Sequence, residues 1–143
     1  MESVLVGVDN SDVSTRAVEF AIARAKSNQW KVVLTHVIPW SPFSFTTPSE
    51  NEHRHQAKEA ELVAARDQIM APMEAIAEQA GVPFESVIRH GQPADTILDI
   101  AEEHDVVHIV VGRTGDSGFR TAIFGSVASR LAHGANVPVT VVP

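Results

Sequence analysis

Cysteine is absent from the 143 residues, which removes disulfides, thiolate metal sites, iron–sulfur clusters and cysteine nucleophiles together and accords with a reducing compartment. Basic residues are few. Lys and Arg number 11 against 18 Asp and Glu, a net charge of −7, which counts against a nucleic-acid or anionic-membrane partner gripped by a basic surface. No stretch approaches the ~20 apolar residues that a membrane span needs. The first apolar run, Val4 to Val8, is broken by Gly7 and ended by Asp9; it is too short for a signal-peptide core and has no basic segment before it. These absences predict a cytoplasmic protein without membrane insertion. At 44% hydrophobic and 20% charged residues, the chain is ordinary for a globular fold and long enough for one domain over 1–143.

Val4-Leu5-Val6-Gly7-Val8 is a β-branched, nearly continuous apolar run, the pattern of a strand buried on both faces of a parallel sheet. Ser11 is placed to cap a following helix whose stripe is Ala17, Val18, Ala21, Ile22 and Ala25. Lys31 to Ile38 reads as the second strand. Residues 39–56, with Pro39, Pro42 and Pro48 among Ser, Thr and Asn, read as a long loop. A helix from about Ala57 to Ala80 follows, with Pro72 as a kink or restart and Gly81 as its stop. Further strands are predicted at Phe84 to Arg89, Val106 to Val111 and Val137 to Val142. Helices open at Pro93 and Ser126. Alternating strands and helices imply the α/β class, a doubly wound parallel sheet with helices on both faces. Ligands in such folds sit at the carboxyl ends of strands, so the residues after each strand are the ones to inspect.

After the fourth strand come Gly112-Arg113-Thr114-Gly115, nine residues, then Gly125-Ser126. Glycines let backbone N–H groups approach an anion closely, and Ser126 is placed to cap a helix whose N-terminus favours phosphate. The same residues serve equally as a tight turn and a helix start. Asp9 directly follows the first strand and so is one of the residues to inspect. An Asx-turn is its plainer use.

The Gly-x2-Gly-x9-Gly-Ser spacing resembles the signature of the ATP-binding branch of the universal stress protein family. Val4 to Ser11, Leu34-Thr35-His36-Val37, Gly125-Ser126-Val127-Ala128 and the closing Pro138 to Val142 resemble its other motifs in the same order, so the likeness spans essentially the whole chain. The resemblance implies a five-stranded sheet in order 3-2-1-4-5, of the adenine nucleotide alpha hydrolase-like kind. It implies ATP, with or without Mg2+ or Mn2+, as the cofactor. It also implies a homodimer through strand five or a larger assembly such as a tetramer, and an unknown regulated protein partner. Carried over to this chain, Asp9 would meet the ribose and the backbone at Val37 and Ile38 the adenine. Val111, Gly112, Gly115, Gly125, Ser126 and Val127 would surround the ribose and phosphates. The chain departs from the family where a small Ser commonly follows the first glycine and Arg or His precedes the second: here stand Arg113 and Thr114, and Arg113 either pairs with a phosphate or lies in solvent.

Three functions fit: a nucleotide-responsive regulatory module, a slow ATPase or phosphotransferase, or a nucleotide-free dimerisation module. The enzyme has little support in the residues, since no Walker-type loop or protein-kinase motif set occurs and Lys26, Lys31 and Lys58 all lie outside the glycine motif. His36 and His108 read as hydrogen-bonded strand histidines. His53 and His55, with Glu50 and Glu52 nearby, read as a solvated loop rather than a metal site. Trp40, Phe43 and Phe45 read as surface packing, or else as a cover over the base or part of a partner surface. Glu102, Glu103 and Asp105 read as a solvated face. The charge is uneven: from Gly112 onward Arg113, Arg120 and Arg130 oppose Asp116 alone, a net +2 that leaves −9 for the rest.

Overall fold

The computed structural model describes residues 1–40, 48–114 and 125–143, without the side chains of 48–51 and 54. Five strands, β1 (Ser3–Gly7), β2 (Lys31–Pro39), β3 (Phe84–Gly91), β4 (His108–Gly112) and β5 (Val139–Val142), form one sheet. Its order is β3-β2-β1-β4-β5, and every pairing is parallel. The predicted order therefore holds. The predicted Val106 and Val137 starts of the last two strands move inward to His108 and Val139.

Strand residues alternate between two cores. Val4, Val6, Val32, Leu34 and Val110 pack under α1 (Asp12–Asn28) and α3 (Ala71–Ala80), whereas Leu5, Val33, Val37, Ile109 and Val111 pack under α4 (Pro93–Glu103) and α5 (Ser126–Gly134). Covering both faces explains why β1 reads as a nearly continuous apolar run. Val4, Leu5 and Val6 are fully buried, each worth about 1.5–3 kcal/mol against exposure.

Local chemistry sets the helix ends. The Ser11 hydroxyl accepts the Ser14 N–H at 3.3 Å as the cap of α1. The Gln92 side chain accepts the Asp95 N–H at 2.7 Å to cap α4, with Pro93 as its first residue. Gly81 ends α3 at φ 72°, a conformation that glycine adopts without penalty.

The long loop predicted over 39–56 is corrected: α2 (Pro48–Ala65) begins at Pro48. A proline is well tolerated in a first helical turn, where its missing N–H has no partner to lose, so the residue taken for a loop marker opens the helix. The histidines at 53 and 55 therefore stand on a helix, and His55 pairs with Glu59 one turn on at 3.2 Å. Phe43 and Phe45 lie outside the described residues. Between α2 and α3 the chain widens into a π turn, Arg66–Met70, in which the Ala71 N–H donates to the Arg66 carbonyl. The widening falls immediately before Pro72, whose ring would crowd the carbonyl four residues back in a regular helix.

β3 lies at one sheet edge and carries charge. Glu85 accepts from Lys31 at 2.7 Å and lies 3.3 Å from His104, contacts that hold its carboxyl below the usual range, Lys31 foremost. Glu103 is engaged too: Arg89 grips it with two nitrogens. That end of α4 is tied to the sheet edge rather than merely solvated, and paired charges deter a foreign strand from docking there.

Candidate functional site

β1 is flanked by β2 and β4, and the chain leaves these two neighbours toward opposite faces. A crevice must open where the connections part. A cavity of about 510 Å3 lies there, at the carboxyl ends of β1, β2 and β4 and against the first turns of α4 and α5. Asp9, Val37, Val111, Gly112, Arg113, Gly125, Ser126 and Val127 all line it, so residues from four separate stretches of sequence meet in one place. Ile38 does not join them. It sits opposite His90 in the β2–β3 register, while His36, Val37 and Pro39 on either side of it line the cavity. Gly115 lies outside the described residues.

Asp9 is held rigidly. Its Oδ1 accepts the Ser11 N–H at 2.9 Å and the Ser11 hydroxyl at 2.5 Å, and its own N–H donates to the Ser14 hydroxyl at 2.9 Å. The Asx-turn is thus present, and it fixes the carboxylate at the cavity wall. A carboxylate has about four acceptor positions, of which Ser11 occupies two at Oδ1.

The opposite wall starts from Gly112, which ends β4. A Cβ on Gly112 would run into Val13 Cγ1 in the first turn of α1 and would stand 3.2 Å from the Thr114 carbonyl oxygen. Glycine here lets α1 close onto the end of β4. Arg113 follows, with its N–H donating to the Val142 carbonyl at 2.7 Å and its carbonyl accepting the Gly125 N–H at 2.6 Å. The loop after β4, the last strand and the start of α5 are thereby pinned together. The expectation that Ser126 caps α5 is corrected: Gly125 is the cap residue, extended at φ −64° and ψ 160°, and no side chain caps the helix. Ser126 is its first residue, is exposed and lines the cavity at a helix start whose first N–H groups need partners.

Asp9 supplies the one carboxylate and Arg113 the one permanent cation among the described residues of the wall. Such a pair suits a ligand with hydroxyl donors at one end and negative charge at the other. Among the described residues, no group of three or more His, Asp or Glu is arranged to hold a metal.

His36 is buried and its Nδ1 lies 2.7 Å from the Val8 carbonyl; because a carbonyl only accepts, that nitrogen carries the proton. It is a satisfied strand histidine. His108 opens β4 at the other end of the sheet, 2.6 Å from the Thr140 hydroxyl and beside Trp30. Burial pushes its pKa down, and Arg24 adds to the effect.

Ser14, Thr35, Pro39, Pro93 and Ile97 also line the cavity and were not singled out from sequence. Pro93 carries a usable signal, since it opens the helix after β3 and so falls under the same rule that selected Asp9 and Gly112. Ile97 carries none, being one more member of an apolar helical stripe.

The fold defines a doubly wound α/β protein with a cavity at its switch point. The whole chain, residues 1–143, matches the family model described as the universal stress protein family. The chain belongs to that family. It is 32% identical over 142 residues to the universal stress protein MJ0531 of Methanocaldococcus jannaschii, covering 99% of this chain and 81% of that one. The universal stress protein UspA from Lactobacillus plantarum superposes with a TM-score of 0.86 at 26% identity, covering 99% and 97% of the two chains. The universal stress protein from Archaeoglobus fulgidus, solved in complex with dAMP, gives a TM-score of 0.73 at 25% identity over 100% of this chain and 98% of that one.

Proposed function

We propose that this chain is a single-domain, ATP-binding regulatory module of the universal stress type that works in the cytoplasm as a homodimer and signals to a protein partner through its nucleotide state. The observation that carries this reading is the convergence of Asp9 with Gly112, Gly125, Ser126 and Val127 on one cavity at the switch between β1 and β4. Asp9 receives the ribose hydroxyls. The backbone from Gly112 and from Gly125 to Val127 receives the phosphates, and the adenine lies toward Val37. The dAMP carried by the A. fulgidus relative supports an adenine nucleotide as the ligand class.

A Mg2+ or Mn2+ ion accompanying ATP fits the donor set in one way. With Asp9 the only carboxylate on the described wall, phosphate oxygens and water would supply most of its ligands. The ion would neutralise phosphate charge.

The dimer forms at β5, an edge strand of four half-buried residues whose outer side has no strand neighbour among the described residues and offers a ladder to a second copy.

Titration calorimetry with ATP tests the reading. About one site per chain is expected, and heat absent up to millimolar ATP in folded protein overturns it. Sedimentation at several protein concentrations tests the dimer, which a monomer at all of them would rule out.

A further inference from the structure

The cation at the cavity stands at one of two positions, the other being Thr114, at which this chain departs from the glycine-motif pattern, and its backbone and side chain are in contrasting states. The backbone of Arg113 is fixed on both sides, to Val142 at 2.7 Å and to Gly125 at 2.6 Å. Its side chain is exposed and borders the cavity. No carboxylate among the described residues pairs with it. The other described cations with defined partners are occupied elsewhere: Lys31 on Glu85, Arg89 on Glu103, Arg16 on the Pro143 carbonyl, Lys58 over Trp40 and Arg24 over Phe20. A guanidinium on a fixed backbone, with no carboxylate partner among the described residues and at the solvent side of a site, has the geometry for two parallel bonds to one phosphate.

Resting on the adenine-nucleotide reading above, we infer that Arg113 sets the phosphate-number preference of the site, selecting nucleoside di- and triphosphates over monophosphates. Because the side chain is exposed, it meets the portion of the phosphate chain that emerges from the cavity. A monophosphate offers little there, and a triphosphate offers its terminal charges. The chain's overall charge of −7 repels polyphosphates at long range, so a local cation is needed for the more highly charged ligand to bind better. Solvent exposure makes the contribution sensitive to salt.

The test is calorimetric titration of AMP, ADP and ATP into wild type, Arg113→Gln and Arg113→Lys, at low and high salt, with circular dichroism to confirm folding. Wild type is expected to favour ATP over AMP. Arg113→Gln is expected to lose about tenfold more affinity for ATP than for AMP, the size of one charge-assisted contact. Arg113→Lys is expected to recover part of the preference, keeping the charge but not the fork, and high salt is expected to narrow it in wild type. Were AMP and ATP bound with a ratio unchanged in Arg113→Gln, the inference would fail and the nucleotide reading would stand. Were no adenine nucleotide bound by folded wild type, both would fall.

Discussion

Val13 occupies the space that a side chain at Gly112 would need. A Cβ on Gly112 would overlap Val13 Cγ1, so the first glycine of the motif serves the docking of α1 against β4 as well as the cavity wall. Read from sequence, that glycine had only a ligand-facing purpose or a turn to explain it. The contact between Gly112 and Val13 spans 99 positions and is invisible until the sheet order brings β4 beside β1.

Gly112→Ala is therefore expected to destabilise the fold by about 1–3 kcal/mol, the usual cost of overpacking. Val13→Ala alone removes two methyl groups and costs about 1 kcal/mol. In the double variant the two changes should compensate, giving a favourable coupling energy in a urea-denaturation cycle. Strict additivity would show that the glycine is required for some other reason.

Ser11 joins two functions that sequence keeps apart. It caps α1 through its hydroxyl and also bonds Asp9 Oδ1 through both its N–H and that hydroxyl. Ser11→Ala is expected to lower stability by about 1 kcal/mol, as cap removal does, and to weaken ATP binding several-fold by releasing the carboxylate from its fixed position. Asp9→Asn separates the effects: the amide oxygen still accepts from Ser11, so melting temperature changes little, while ATP affinity falls through loss of charge. Equal losses of stability and affinity in both variants would contradict this division.

His108 makes stability depend on pH. Its pKa is lowered in the folded protein by burial first and by Arg24 second. The unfolded chain therefore binds a proton more readily, starting near the ordinary histidine value of about 6.5. By linkage the histidine's contribution is fully present above that value and is lost as pH falls through it toward the folded pKa. His108→Gln cannot be protonated and still offers Thr140 a hydrogen-bonding partner. Melting temperature measured between pH 7.5 and pH 5 should fall less in this variant than in wild type. Parallel curves would remove His108 as the source.

The α/β class and the meeting of four stretches at one cavity were legible because buried parallel strands announce themselves as apolar runs. The rule of carboxyl ends then selects the residues that follow them. What could not be read lay where one residue type has two physical uses. Pro48 reads as a loop residue and opens α2; Ser126 reads as a cap, yet Gly125 takes that place. The Arg89–Glu103 link depends on β3 and α4 lying side by side, which no local pattern encodes.

Gly81 and Gly112 require glycine for different reasons, and substitution should expose the difference. At Gly81 nothing lies within 4 Å of an added Cβ, but φ is +72°, where an L side chain is strained by its own backbone. Gly81→Ala is expected to cost about 1 kcal/mol, and Gly81→Asn less, because asparagine tolerates the left-handed region. The loss should be indifferent to any neighbouring substitution, there being no neighbour to relieve. Thermal or urea unfolding of Gly81→Ala with and without Val13→Ala should give additive effects, against the coupled pair at Gly112. Coupling at Gly81 would mean that the C-terminal end of α3 is packed more tightly than its open surroundings indicate.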